Sequence, residues 1–360
     1  MLVETHFPRR LSPSRYDSFL ASGWFRGSLM LYKMDLLCVD QALFSVVNIR
    51  INLLTHRPSK SQRKLMRKND KLFQVVFAPV TINAEKERLY NLQKPRFKGF
   101  IHDTLEEYLA HGIAESIFDT HELQVYDQGK LVAVSYFDVG GNSQASLLGL
   151  NDPAYAKFSL GSYTLLKEME FGITEGRKWF YPGYVLDRPS AFDYKLKLGE
   201  IEFYTPTKRW AKWSKFNRNM TSTWRIENAL SILSKALENI EIPHNDWLYP
   251  YFTLGNLPFV KIEFLHLPRF IEIGYDLDGT LVLGYSPLAG GYVVAHILPC
   301  PNEFPQSIME FAGEYDHADV YWSAMMKIGD IRYTAASLDE VLDYVETWRR
   351  RLDSIECFES

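Results

Sequence analysis

Cysteine is scarce in this chain of 360 residues: Cys38, Cys300 and Cys357 are the only three, and they lie far apart. That spacing excludes a disulfide framework and a Cys-x-x-Cys metal site, so inert thiols are expected. No run of eighteen apolar residues occurs, and the opening Met-Leu-Val-Glu-Thr-His-Phe-Pro-Arg-Arg lacks the apolar core of a secretory signal. A cytoplasmic protein with no membrane partner is the expectation. The histidines His102, His111, His121, His244, His266, His296 and His317 fall in separate elements without ligand spacing, so neither a metal nor a cofactor is expected. Internal repeats and low-complexity tracts are also missing. A formal net charge of -4 supplies no overall attraction for nucleic acid, but a net value conceals local patches.

With 46% hydrophobic residues, the chain can bury sizeable cores, and its length suggests more than one domain. Apolar strand candidates lie at 30–38, 43–54 and 72–82. Between the last two, Ser59 is followed three residues later by Gln62, a capping-box pattern that opens a basic helix. Thr104-Leu-Glu-Glu107 repeats the signal and predicts a helix to about residue 117. From 121 to 150 two strands flank an Asp-Gln-Gly-Lys turn. Ser159 then caps a helix to about 175, whose apolar positions Tyr163, Leu166 and Met169 recur at helical spacing. A short aromatic strand, 178–182, ends at Pro182-Gly183, where missing N–H and free dihedrals make the strand stop or splay. Strand, strand, helix, strand predicts an α/β (α+β) fold of the GNAT acyltransferase kind. Farther on, a helix at 224–239, hairpin strands at 259–297 and a helix from Ser337 with Arg349, Arg350 and Arg351 in its last turn complete the reading.

Two basic stretches stand out. Arg57, Lys60, Arg63, Lys64, Arg67, Lys68 and Lys71 are opposed only by Asp70, and would attract an acidic peptide or a phosphate. The alternative is a solvated helix face. Lys208, Arg209, Lys212, Lys215 and Arg218 interleave with Trp210, Trp213 and Phe216 and no acid, a mixture able to pair with phosphates and stack on unpaired bases. Its alternative is an amphipathic linker that packs the aromatics on a core.

Three sets of motifs share a pattern: Ser22-Gly-Trp-Phe-Arg-Gly-Ser28 with Tyr32; Ile49-Arg-Ile51 leading to Arg57-Pro-Ser-Lys-Ser-Gln-Arg63; and Phe158-Ser-Leu-Gly161, Tyr181-Pro-Gly-Tyr184 and Asp193-Tyr-Lys195. In order and spacing the chain resembles the arginyl-tRNA-protein transferase family with its leucyl-transferring branch, over roughly residues 11 to 215. The resemblance implies transfer of an amino acid from aminoacyl-tRNA to the N-terminal amine of an acceptor with an acidic N-terminus. It also implies an N-terminal domain at 1–98 and a GNAT-like catalytic domain at 99–220; residues 221–360 fall outside the resemblance and are expected to form a C-terminal α/β extension of their own. Three departures are visible. The family's cysteine cluster before the Arg-Ile element is absent, leaving only the offset Cys38; its Phe-Asp-Pro is here Leu150-Asn-Asp-Pro153; and its aliphatic-Gly-Tyr is here Pro182-Gly-Tyr184.

On this resemblance, substrate binding falls to Arg26, Ser59, Lys60, Ser61, Arg63, Ser159, Tyr181 and Tyr184. RNA binding falls to Lys208, Arg209, Trp210, Lys212, Trp213 and Lys215. Tyr194 and Lys195 are the expected catalytic pair, with Asp193 orienting the lysine. Tyr163, Tyr181 and Tyr184 would offer further hydroxyls, packing being the alternative for each. Rival readings are a non-catalytic reader of acidic N-termini or RNA and a CoA-dependent N-acyltransferase, although Gly140-Gly-Asn-Ser makes a poor pyrophosphate loop. Tyr275-Asp-Leu-Asp-Gly-Thr280 looks like a phosphatase motif, but its flanking apolar runs make it a hairpin turn.

Overall fold

A computed structural model of the chain describes residues 3–97, 101–110, 117–256, 263–300 and 319–359. Packing gathers them into two compact units, residues 4–34 with 46–217 and residues 1–3 with 35–45 and 218–360. The chain begins with β1 (Val3–His6), α1 (Pro13–Ala21), β2 (Phe25–Arg26), β3 (Leu31–Met34), β4 (Leu36–Val39) and the long β5 (Ala42–Asn52). In β5 every second residue, Leu43, Ser45, Val47, Ile49 and Ile51, is buried, the period of a strand with one covered face.

The first unit continues with α2 (Lys60–Asn69), β6 (Gln74–Pro79), α3 (Ala84–Gln93), α4 (Leu105–Leu109), β7 (Thr120–Asp127), β8 (Lys130–Val139) and β9 (Ser143–Asn151). After these come α5 (Leu160–Thr174), β10 (Trp179–Tyr181), β11 (Tyr184–Leu186), a 3₁₀ turn (Asp193–Lys197), β12 (Ile201–Tyr204) and β13 (Trp210–Lys212). The strands form one sheet in the order β13-β12-β5-β10-β9-β8-β7-β6, with β11 beside β5. The pairs from β6 to β9 are antiparallel, whereas β9 and β10 run parallel across the α5 connection. This is the mixed α/β order expected of a GNAT-like domain. A third strand, β9, lies in the stretch where the sequence predicts two.

Nine successive residues of β8 are buried because both faces of the sheet are covered. Ala133 and Phe137 pack with Leu160 and Tyr163 of α5, while Val134 and Tyr136 meet Leu89, Tyr90 and Leu105 from α3 and α4 on the other side. Each large apolar side chain buried this way contributes roughly 1.5–3 kcal/mol. Two ion pairs brace the sandwich: Arg26 with Asp138 at 2.6 Å and Lys86 with Glu122 at 2.6 Å, all four buried. The helix opened by Thr104 closes at Leu109, where Ala110 takes φ +53°; its predicted continuation, 111–116, lies outside the described residues.

In the second unit, β4 pairs with the first residues of β5, and Ser45 Oγ bonds Thr223 Oγ1 at 2.8 Å and accepts from Thr223 N at 2.9 Å. The Thr223 backbone belongs to α6 (Ser222–Asn239). The strands β14 (Asn245–Leu248), β15 (Arg269–Asp276), β16 (Gly279–Ser286), β17 (Gly291–Pro299) and β18 (Met326–Ala335) form a five-stranded sheet, antiparallel throughout. Helix α7 (Leu338–Glu359) follows. It runs beyond Arg351, so the three arginines sit along the helix and not in its last turn, which corrects the dipole reading. The Asp276–Gly279 stretch is the expected hairpin turn. Asp278 N donates to Asp276 Oδ1 at 2.8 Å, and Asp276 Oδ2 holds Trp348 Nε1 at 2.6 Å and His296 Nε2 at 3.0 Å.

Candidate functional site

The strand that enters the sheet after α5 changes neighbours part-way. Trp179, Phe180 and Tyr181 pair with Ser143, Gln144 and Ala145 of β9, and the pairing then ends. Pro182-Gly183 interrupts the strand, and Tyr184–Leu186 continues along β5 alone, opposite Asn48, Val47 and Val46. From Ser146 onward β9 therefore has no strand on this side, and a wedge opens where the sequence predicts a splay. Gly183 is required there: its φ is +94°, and a Cβ on it would lie 3.2 Å from Lys195 Nζ.

Lys195 and Tyr194 reach this wedge from the 3₁₀ turn between β11 and β12. The Lys195 ammonium donates to the Tyr184 carbonyl at 3.3 Å and lies 5.5 Å and 5.1 Å from the Tyr184 and Phe192 ring centres. Burial lowers its pKa to about 8. Tyr194 keeps 40% of its surface exposed, while burial and the charge of Glu168 raise its hydroxyl pKa. Asp193 does not orient the lysine as expected: its carboxylate accepts from Ser190 Oγ at 3.1 Å.

Glu168, on α5, was not singled out from sequence. It is fully buried, and Oε1 accepts from Ser135 Oγ and, at 3.3 Å, from Ser146 Oγ at the start of the unpaired β9 edge. Its other oxygen, Oε2, has no partner, and neither does Gln144 Oε1. Burial pushes the Glu168 carboxyl up to about 8, against the opposing pull of the two serines and Lys195. Glu168 and Lys195 feel each other's charge without forming an ion pair. A readable signal did exist: Glu168 shares one helical face with Leu165 and Gly172, both buried, and a carboxylate in an apolar stripe is unusual.

The basic helix borders the same turn. Ser59 and Gln62 form the expected capping box, and Gln62 Nε2 also donates to the carbonyls of Lys197 and Leu198 at 2.8 and 2.9 Å. Lys60, Ser61, Arg63, Lys64, Arg67 and Lys68 are exposed. Arg63 donates to the Pro58 carbonyl at 2.5 Å. The far end is tied to α5, where Tyr163 donates to Asp70 at 2.6 Å, so this hydroxyl is engaged away from the wedge.

The remaining candidates are spread more widely. Arg26 is buried, its guanidinium engaged by Asp138, Thr120 and the Leu109 carbonyl and stacked 4.2 Å over Phe118. Ser159 is exposed but caps nothing: it takes φ +52°, ψ +46°, and its side chain makes no cap bond, a correction to the sequence reading. Tyr181 is buried against Trp210, and Tyr184 packs on Phe25 and Phe192. Trp210 donates to the Ala21 carbonyl at 2.8 Å and covers Arg50, which lies 4.3 Å from its ring and 3.6 Å from that of Trp179. Trp213 stacks on Phe216 with centres 4.6 Å apart. Lys208, Arg209, Lys212 and Lys215 are exposed around these half-buried aromatics. Cys38 is buried and its thiol is pushed up to about 12, as expected of an inert thiol. Among the described residues no three His, Cys, Asp or Glu side chains could hold a metal ion, and no helix is long and apolar enough to cross a membrane.

Residues 71–205, which contain β9, α5, the break at Pro182-Gly183 and the Tyr194-Lys195 turn, match the family described as arginine-tRNA-protein transferase, C terminus. The match supports placing this stretch with the arginyl/leucyl-tRNA-protein transferases. Aspartate/glutamate leucyltransferase of Leptospira interrogans is 27% identical over 213 residues, covering 58% of this chain and 80% of the relative. The enzyme of that name from Aeromonas hydrophila is 23% identical over 197 residues, covering 51% and 76%. Among solved structures, FemX aligns with 51% of this chain and 64% of its own at 10% identity and a TM-score of 0.33. A GCN5-related glucosamine N-acetyltransferase region of a fungal multi-domain enzyme aligns with 57% and 23% at a TM-score of 0.31. The transferase family brings with it the class of this enzyme, an aminoacyltransferase.

Proposed function

We propose that the chain transfers an amino acid from aminoacyl-tRNA to the N-terminal amine of a protein that begins with aspartate or glutamate, in the cytoplasm. The observation that carries this reading is the wedge between β9 and β11, inside the stretch that matches the transferase family, with Lys195 and Tyr194 at its side and an exposed basic helix joined to their turn through Gln62. The relatives named aspartate/glutamate leucyltransferase support both the acidic acceptor and a leucyl donor.

Aminolysis of an ester needs little acid–base help, because an α-amine with a pKa of about 7.7–8 is partly neutral at cellular pH. Holding amine and ester together therefore dominates the rate. In this reading the free backbone edge of β9 and the Tyr181–Tyr184 break seat the aminoacyl end. Tyr194 and Lys195 contact the ester, with the lysine ammonium stabilising charge that develops on its carbonyl oxygen. Ser59, Lys60, Ser61 and Arg63 attract the acidic acceptor side chain. Ser159 lines the approach at the start of α5, and Arg26 supports the sheet from within. The cations Lys208, Arg209, Lys212 and Lys215 hold tRNA phosphates, with Trp210 and Trp213 supporting that surface.

Incubation with leucyl-tRNA and arginyl-tRNA and peptides starting with Asp, Glu or Ala tests it. Transfer to the first two peptides and not the third is expected. Failure with every charged tRNA, or acyl transfer from acetyl-CoA instead, would overturn the reading.

A further inference from the structure

Resting on that reading, we infer that Ser146 and Glu168 form a relay that takes the proton released by the attacking amine. Three features of the geometry support this. Ser146 is the first residue of β9 past its last pairing with β10, so its hydroxyl stands at the mouth of the wedge, and the residue is partly exposed. That hydroxyl bonds Glu168 Oε1 at 3.3 Å, joining a partly exposed group to a carboxyl with no surface of its own. The Glu168 site has unused accepting capacity, since Oε2 and the neighbouring Gln144 Oε1 are both buried without a donor, a rare condition in a folded chain.

Nothing in the packing explains a carboxyl at this position. Ser135 Oγ holds it from β8, Gln144 Nε2 donates to the Glu168 backbone carbonyl at 3.0 Å, and the helical neighbours of Glu168 are apolar or small. Glutamine would satisfy the same serine with no charge to bury. A group retained at such cost in a cleft is a functional-site candidate. The titratable groups that face it are Lys195 and Tyr194, both from the 3₁₀ turn; Ser135, Ser146 and Gln144 carry no charge.

The step balances as follows. The neutral N-terminal amine attacks the ester carbonyl carbon and the C–N bond forms. One N–H proton passes to Ser146 Oγ while the serine's own proton passes to Glu168 Oε1. The C–O bond to the ribose breaks, and the leaving oxygen takes a proton from the Lys195 ammonium. Amide and free tRNA result, with Glu168 protonated and Lys195 neutral. Exchange of one proton between these two, whose pKa values both lie at about 8, restores the starting state.

Single-turnover transfer to an Asp-starting peptide by wild type, Ser146→Ala and Glu168→Gln tests the relay. Each substitution is expected to lower the rate about 100-fold with peptide KM and tRNA affinity unchanged, and the double variant to be no worse than either single one. With an aminooxy-terminated peptide, whose nucleophile is already neutral, the wild-type rate should still rise with pH towards 8, and Glu168→Gln should lose that limb. Ser146→Ala alters a partly exposed hydroxyl, so its fold is expected to survive even where Glu168→Gln fails to express. Transfer by wild type that survives both substitutions within threefold, limb included, overturns the relay and leaves the transferase reading intact. A wild type that transfers from no aminoacyl-tRNA overturns both.

Discussion

Glu168 and Lys195 lie in one poorly solvated region and are shifted towards each other, the carboxyl up from 4.5 and the ammonium down from 10.5, both to about 8. The consequence for stability has a definite sign. Between pH 4.5 and 8 the unfolded chain has lost the Glu168 proton while the folded one keeps it, so stability falls as pH rises. Between pH 8 and 10.5 the unfolded chain keeps the Lys195 proton while the folded one has lost it, so stability rises. The pair therefore adds a trough centred at about pH 8. Relative to wild type, Glu168→Gln should gain stability across the lower window, by a few kcal/mol at its end, whereas the advantage of Lys195→Met, greatest below pH 8, should shrink across the upper one as the wild type recovers. Urea denaturation at pH 5, 8 and 10 measures this, and a wild type and Glu168→Gln that keep a constant difference would refute it. At this scale the sequence was partly readable. Tyr194 and Lys195 stood out through a motif, and Glu168 was readable through its place on an apolar helix face. Ser146 gave no signal, because its role comes from where a pairing ends and not from its neighbours in the chain.

Among the elements, α2 shows how a local pattern acquires a distant role. The Ser59-x-x-Gln62 box was legible because capping involves residues three apart, and it forms as expected. The bonds from Gln62 to Lys197 and Leu198 were not, since they join residues more than 130 positions apart in sequence. They fasten the start of the helix to the end of the turn that carries Lys195. Gln62→Ala removes both bonds and half of the capping box, leaving two part-buried carbonyls without this donor. A loss of about 1–3 kcal/mol is expected. Because the lysine turn loses its tether, the transfer rate should fall more than the stability loss explains, with tRNA affinity unchanged. Thermal melts alongside single-turnover transfer separate the two effects, and full activity at temperatures well below the melt would dismiss the tether. The break after Tyr181 has the opposite history. Pro182-Gly183 predicted it from sequence, but only the β5 pairing of Tyr184–Leu186 shows which neighbour the strand leaves and which it keeps.

Charge is where the whole molecule differs most from its average. The unit formed by residues 4–34 and 46–217 holds 30 basic and 21 acidic residues, a net of +9, whereas the rest of the chain holds 10 and 23, a net of -13. The overall -4 thus joins two oppositely charged parts, and the positive one contains both the wedge and the Lys208–Lys215 stretch. No inspection of composition alone could divide the charge this way, because the acidic unit takes in Asp35–Ser45 as well as the C-terminal residues. A basic unit that grips tRNA through phosphates must release counterions, so its affinity should fall linearly with the logarithm of salt concentration. The slope is about -0.7 to -0.9 per phosphate contacted. If Lys208, Arg209, Lys212 and Lys215 each meet one phosphate, they account for a slope of roughly -3 to -4. Lys212→Ala should then make the slope shallower by a little under one and weaken binding at low salt, while Glu168→Gln, buried on α5, leaves the slope unchanged. Fluorescence anisotropy of labelled tRNA over a salt series measures both, and a Lys212→Ala slope equal to wild type would remove this stretch from the RNA surface. The aromatics lead to a different outcome. Trp213 is already stacked on Phe216 and Trp210 already covers Arg50, so their contribution is to hold the cations in place, and replacing Trp213 by Phe should leave the salt slope intact.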